Sequence, residues 1–110
     1  MEKDREELIA RAIKLDTLVG YQDGAIVSRT IIDKKTGTLT LFAFWQGQAL
    51  SEHTAPYDVL VYIIDGEAEV SVSGKPHIVK MSEMIIMPAN EPHALKAVTN
   101  FKMLLVMIKA

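Results

Sequence analysis

Two of the three histidines are the side chains best suited to chemistry in this sequence. His53 stands in a polar stretch between apolar segments, and His93 follows a loop that runs from Pro88 to Pro92. An imidazole ionises near neutral pH, so it can serve as an acid, a base, a hydrogen-bonding group or a metal ligand. His77 follows a Gly-Lys-Pro turn and is interpreted as a residue at the end of a hairpin. His53 and His93 are therefore the candidates for catalysis, ligand binding and metal binding.

The composition and the spacing exclude several other kinds of chemistry. The chain has no cysteine, and therefore no disulfide, thiolate ligand or cysteine nucleophile. It shows no Ser-His-Asp arrangement and no glycine-rich phosphate loop. The net charge of -2 provides no basic footprint for nucleic acid. Because the N-terminus lacks an apolar signal core and no apolar run reaches about 18 residues, we expect a cytoplasmic protein that binds neither membrane nor nucleic acid.

The elements that must position the two histidines are predicted to be strands. From Ala25 onward, segments rich in Val, Ile, Thr, Phe and Leu alternate with turn signals such as Asp65-Gly66. Short strands at this spacing are typical of a sandwich or barrel. The segments 38–46 and 101–108 are apolar on both alternating faces, so both are expected to be covered on both sides. The predicted strands span residues 25–32, 38–46, 57–64, 67–73, 76–81, 84–87, 93–98 and 101–108.

The first residues show a different period. Leu8, Ile9, Ala12 and Ile13 fall on one face of a helix, which predicts a short N-terminal α-helix over residues 3–15. With 110 residues the chain is long enough for one core and one domain. The sequence therefore predicts a single all-β domain with an N-terminal helix at about 3–15 and a β-barrel at about 25–108.

Two motifs make the β-rich part similar to a known family. The first runs from Gly47 through His53 and a long apolar strand to Asp65-Gly66. The second contains Ser82-Glu83, an apolar strand, Pro88, and then His93 five residues later. In this order they resemble the two motifs of the cupin superfamily, over roughly residues 39–108. The resemblance implies a small single-domain cupin, with an RmlC-like fold that is called a double-stranded β-helix or jelly-roll barrel.

Metal-binding cupins hold their ion with two histidines and a carboxylate from the first motif and one histidine from the second. Mapped onto this chain, the resemblance places His53 and His93 at two of these positions, but Ala55 and Val59 at the other two. Asp58 is adjacent to Val59 and should point to the opposite face of the strand, because side chains alternate. We therefore expect no tightly bound metal. The alternative is a divalent Zn, Fe, Ni or Mn ion that His53 and His93 hold weakly.

The resemblance implies a binding site in the barrel lumen. We expect a small organic ligand in contact with His53, His93, Tyr57, Trp45 and Met87, in a cavity of at least a few hundred Å³. One alternative is an enzyme, either a metal-dependent oxygenase or isomerase with a reduced ligand set or an acid/base catalyst that uses the histidines. Another is an interaction module with a sealed barrel. The resemblance to small cupins also implies that the chain forms a homodimer.

Overall fold

The computed structural model describes residues 7–109, and within this range the chain is almost entirely β-structure. A 3-10 helix covers Leu15–Leu18. The strands that follow are β1 (Ile26–Lys34), β2 (Gly37–Phe44), β3 (Ala49–His53), β4 (Tyr57–Asp65), β5 (Glu67–Val72), β6 (Lys75–Lys80), β7 (Met84–Met87), β8 (His93–Ala97) and β9 (Phe101–Lys109).

The strands form two antiparallel sheets that face each other. The five-stranded sheet has the order β1-β2-β9-β4-β7, and the four-stranded sheet has the order β3-β8-β5-β6. Strands that are distant in sequence lie side by side, as β2 and β9 do, so the sheets are joined by crossovers at both ends. This arrangement confirms the predicted all-β jelly-roll barrel.

The N-terminal α-helix predicted over residues 3–15 does not extend through residues 9–14, and residues 3–6 lie outside the described part. Only residues 7 and 8 have helical geometry, and Ala10 takes a left-handed conformation with φ of 58°. The apolar side chains after it, including Leu15, Leu18 and Val19, pack instead on the outer face of the five-stranded sheet. A short helix is marginal by itself, so this apolar surface decides the conformation. Within residues 7–109 no helix has the length and apolarity needed to cross a membrane.

Strand β3 is the element that the sequence interpretation missed. The predicted strands leave out the polar stretch before His53, but Ala49–His53 pairs with β8 along the edge of the four-stranded sheet. Four of the five residues of β3 are exposed, and only Leu50 is partly buried. The apolar alternation that reveals a half-buried strand is therefore almost absent from this edge strand.

The core fills the space between the sheets. The Phe44 and Phe101 rings stack there with centroids 4.6 Å apart, and neither side chain is exposed. On the opposite face of the same two strands, Leu41 and Leu104 contact the segment that contains Val19. β2 and β9 are thus covered on both faces, as their sequences predict.

Two residues take the left-handed backbone conformation at the motif positions where the family has glycine. Asn90 has φ of 65° and Ser82 has φ of 71°. Asparagine adopts the left-handed region at relatively low cost, so Asn90 suits its position. Gly66 has φ of 75°, and a Cβ there would collide with the Asn100 carbonyl oxygen. These positions fix the tight turns that lead into and out of the barrel strands.

Candidate functional site

A β-bulge in β3 brings the two candidate histidines together. Leu50 pairs with Leu95 and His53 pairs with His93, so β3 advances three residues where β8 advances two. If the same residues paired regularly, without the bulge, Glu52 would lie opposite His93 and His53 would point outward. A bulge inserts one residue and redirects the side chains beyond it. Here it places His53 on the same face as Leu50.

The imidazoles of His53 and His93 meet through their Nε2 atoms, which lie 3.2 Å apart. The ring centroids are 4.4 Å apart and the ring planes are inclined by 72°. Each Nδ1 lies near a backbone carbonyl oxygen, that of Ser51 at 2.8 Å and that of Glu91 at 3.1 Å. A carbonyl oxygen only accepts, so each Nδ1 carries the hydrogen. In the neutral rings both Nε2 atoms are therefore acceptors, and a hydrogen bond between them requires one ring to carry a second proton.

The two rings differ in their exposure. His93 lies in the interior of the four-stranded sheet between β3 and β5 and is only 4% exposed, whereas His53 lies on the edge strand and is exposed. Burial lowers the pKa of His93 below its ordinary value of 6.5. The Glu91 carbonyl partly opposes this shift, and the nearby His53 adds to it. The pair therefore has one buried ring that favours the neutral form and one ring that is accessible from solvent.

The two histidines border a cavity of about 50 Å³ in the lumen. Besides the histidines, its walls are apolar: they contain Ala55, Val59 and the side chains of Leu50, Leu95 and Leu105. Three of the six methionines complete the lining, Met87, Met103 and Met107. The cavity is far smaller than the few hundred Å³ that we expected for an organic ligand. Its contents are limited to a few heavy atoms unless side chains move.

The residues present do not fit a divalent metal ion of the usual kind. Ala55 and Val59 line the cavity at the two remaining ligand positions, and neither has a donor atom. Asp58 points away from the lumen, as predicted, and its Oδ1 accepts a hydrogen bond from the Ala89 backbone at 3.0 Å. In residues 7–109 no three His, Cys, Asp or Glu side chains are grouped as a metal site. Zinc and iron sites normally use three or more protein ligands.

The other predicted site residues occupy different places. Met87 lines the cavity, as expected, while Tyr57 is partly buried against the core and lies outside the cavity lining. Trp45 follows Phe44, which pairs with Phe101. This pair lies at the end of the barrel away from the histidines. Since Phe44 points into the core, alternation turns Trp45 out of it. The structure therefore brings His53, His93 and Met87 together, but not Tyr57 and Trp45.

Met103 and Met107 line the cavity although the sequence analysis did not select them. In the structure the side chains of β9 alternate, with Phe101 and Met103 fully buried. Counting in steps of two from Phe101 places Met103, Leu105 and Met107 on the same inward face. The segment is apolar on both faces, so its sequence gives no indication of which face is inward.

A larger groove lies outside the barrel. It measures about 490 Å³ and lies between the segment that contains Leu8 and Leu15 and the edge strand β1, near Ile31. It contains no histidine, and its lining is mostly aliphatic. The groove is thus a mostly apolar surface, whereas the imidazoles of His53 and His93 converge in the lumen.

Comparison with known proteins identifies the family. A family model described as "Cupin domain" matches residues 40–109. The conserved SPY1581 protein of unknown function from Streptococcus pyogenes is 35% identical, with a TM-score of 0.88 over 92% of this chain and 89% of that one. A cupin 2 conserved barrel domain protein from Leptotrichia buccalis is 45% identical, with a TM-score of 0.86 over 88% of this chain and 47% of that one. No curated protein matches significantly. The chain therefore belongs to the cupin superfamily, as a small cupin domain.

Proposed function

We propose that the chain is a binding protein whose site is the lumen between His53 and His93, and that its ligand has only a few heavy atoms. The observation that carries the proposal is the 3.2 Å approach of the two Nε2 atoms. Both Nδ1 atoms donate to carbonyl groups, so two lone pairs converge at the edge of a cavity. Such a place attracts a hydrogen-bond donor or a cation, because it supplies only acceptors.

The size of the cavity narrows the ligand class. A cavity of about 50 Å³ is too small for a drug-sized molecule, which needs about 300–1,000 Å³. Among organic ligands a short carboxylic acid suits it best. Its acidic proton would pass to one Nε2, whose N–H would then donate to the resulting carboxylate, and its short apolar part would contact Val59 and the methionines. The expected small organic ligand is therefore narrowed to compounds of this size.

Binding is favoured over metal catalysis because the lumen lacks the usual ligand set. Ala55 and Val59 leave a divalent ion with two imidazoles and no negative charge to offset its own. Moving an uncompensated charge out of water is costly. We therefore propose that the site holds no divalent metal tightly.

The proposal is tested with protein labelled with ¹⁵N at histidine. Formate and acetate are added in turn, and the Nε2 resonances of His53 and His93 are followed. We expect saturable shifts of these two resonances, while His77, which lies on the exposed strand β6, stays unchanged. If the three histidines respond alike or not at all to every small acid and cation tested, the proposed site is rejected.

Metal content per chain, measured by plasma mass spectrometry on untagged protein, tests the proposal that the site holds no divalent metal tightly.

The second candidate is an enzyme that uses the same two histidines. The observation that favours it is the pairing of a buried and a solvent-accessible imidazole at one cavity. Such a pair suits proton transfer, and water or substrate would have to complete any metal shell. Its test is a His53→Ala/His93→Ala double variant. If every detected turnover survives this change, the enzyme candidate is rejected.

The homodimer stays a prediction. The aliphatic groove beside β1 and the unpaired edge of that strand are features that a second copy could cover. Sedimentation at several concentrations measures the oligomeric state directly.

A further inference from the structure

We propose that the lumen is a site for univalent copper, with His53 and His93 supplying nitrogen and Met87 and Met107 supplying sulfur. The inference rests on the proposed function, because it names a cation as the ligand of the same lumen site. It starts from the methionines that line the cavity, whose thioether sulfur is not a usual ligand of zinc or other divalent ions.

The two methionines flank the residue that stands where metal-binding cupins have their carboxylate. On one side Val59 pairs with Met87 of β7, and on the other it pairs with Met107 of β9. Side chains that are directly opposite on neighbouring strands have Cβ atoms about 4.5–5.5 Å apart and share one face. All three residues line the cavity that His53 and His93 border. The position without a carboxylate therefore has a thioether on each side.

The nitrogen atoms have the separation that one bound ion requires. Two imidazole nitrogens that are each about 2.0–2.1 Å from a tetrahedral ion lie roughly 3.3 Å apart. The Nε2 atoms of His53 and His93 are 3.2 Å apart, and each Nδ1 is fixed by a backbone carbonyl. A hydrogen bond on the second nitrogen is what normally orients a metal-binding histidine. The pair is thus already arranged for ligation.

The donor types select the metal. Imidazole and thioether are neutral, and thioether sulfur is a soft ligand that favours Cu(I) over hard or borderline divalent ions. No acidic side chain lines the cavity. The cost of burying an ion rises with the square of its charge, so a univalent ion is tolerated in a neutral site far better than a divalent one. The same features that disfavour zinc therefore favour Cu(I).

The cavity has room for an ion and a path by which it can enter. Its volume of about 50 Å³ is larger than one water molecule needs. His53 is exposed on the edge strand, while His93 is buried behind it. An ion can therefore bind first to His53 and then gain His93 and the sulfur atoms.

The test is an anaerobic titration of the full chain with Cu(I), kept reduced by ascorbate, in competition with a chromogenic Cu(I) chelator. We expect one Cu(I) per chain. Mutation of a residue that only supports a metal ligand typically costs about 10–100-fold in metal affinity. Because Met87 and Met107 are the proposed ligands themselves, Met87→Leu/Met107→Leu should weaken Cu(I) binding at least as much. The matched control is Met84→Leu, because Met84 is exposed and outside the cavity lining. His53→Ala/His93→Ala should abolish binding.

X-ray absorption of the copper-loaded wild-type protein gives a second readout that requires no variant. We expect sulfur as well as nitrogen in the first coordination sphere. Absence of sulfur, or equal Cu(I) affinity in wild type and Met87→Leu/Met107→Leu, overturns the inference. If Cu(I) does not bind but the resonances of His53 and His93 still respond to small acids, the copper inference fails and the proposed function stands. If those resonances respond to neither, both fail.

Discussion

The two ends of the barrel lumen share one core but are packed in different ways. At one end Phe44 and Phe101 stack at 4.6 Å and are fully buried. At the other end His53 and His93 face methionine side chains across a cavity of about 50 Å³. Rigid rings hold the strands together at the closed end. At the open end the ring nitrogens are fixed by backbone carbonyls, but the methionine side chains are flexible. We therefore expect this end to adapt to a small ligand.

The largest effect is expected from Phe101→Ala at the closed end. Removing a buried aromatic side chain typically costs about 3–5 kcal/mol of unfolding free energy, because a cavity remains. Urea unfolding measures this loss. The matched variant at the exposed sheet edge is Ile86→Ala, since that side chain is 52% exposed. Similar losses in both variants would contradict the view that the closed end holds the barrel together.

The next prediction restores the missing ligands at the open end with Ala55→His/Val59→Glu. The variant should bind zinc, and a ligand present at about 100 times its dissociation constant stabilises the folded state by about 2.7 kcal/mol. Thermal unfolding with and without zinc measures the gain. The wild-type chain should gain clearly less, because its ligand set is incomplete. Equal gains in both proteins would show that the two positions do not explain the weak divalent site.

A smaller effect is expected from Met87→Leu, which keeps the volume but removes the sulfur. A swap of this kind usually costs less than about 1.5 kcal/mol, and the adaptable open end should place it low in that range. At the closed end Phe101→Leu should cost more, because the ring stack is lost. Urea unfolding of both variants compares the ends directly. If Met87→Leu loses more unfolding free energy than Phe101→Leu, the open end is packed as rigidly as the closed one.

The smallest effect concerns pH. The pKa of His93 is lowered in the folded protein, mainly by burial, so between that pKa and 6.5 the unfolded chain binds more protons. Stability is therefore fully present above pH 6.5 and declines as the pH falls through this window. Among residues 7–109, His53 is the only other titratable group that lines the cavity. The measurement is urea unfolding of chelator-treated protein at about pH 7.5 and about pH 5.5.

The control for the pH prediction is His93→Gln, which cannot titrate there. Its stability should change less with pH than that of the wild type, whereas His77→Gln should behave like the wild type because its strand is exposed. A wild-type protein that gains stability relative to His93→Gln on acidification would show that His93 is not buried as a neutral ring.

The sequence predicts the fold well and the site only in part. Alternation and turn residues indicate most strands, and the resemblance to the cupin motifs implies that His53 and His93 converge. The sequence does not reveal the bulge in β3, because an edge strand with exposed residues lacks an apolar pattern to count. Nor does it indicate the N-terminal conformation, where packing against Leu41 overrides local helix propensity. Long-range contacts decide both cases.

The bulge in β3 makes the chemistry of the lumen sensitive to strand register as well as to residue type. If β3 kept its length but paired regularly beyond Leu50, the Glu52 carboxylate would lie opposite His93. This shift would replace a neutral nitrogen pair with a charged nitrogen–oxygen pair, without any change of residue. Among related barrels, the presence or absence of one bulge at this edge is therefore a short route to different donor atoms in the lumen.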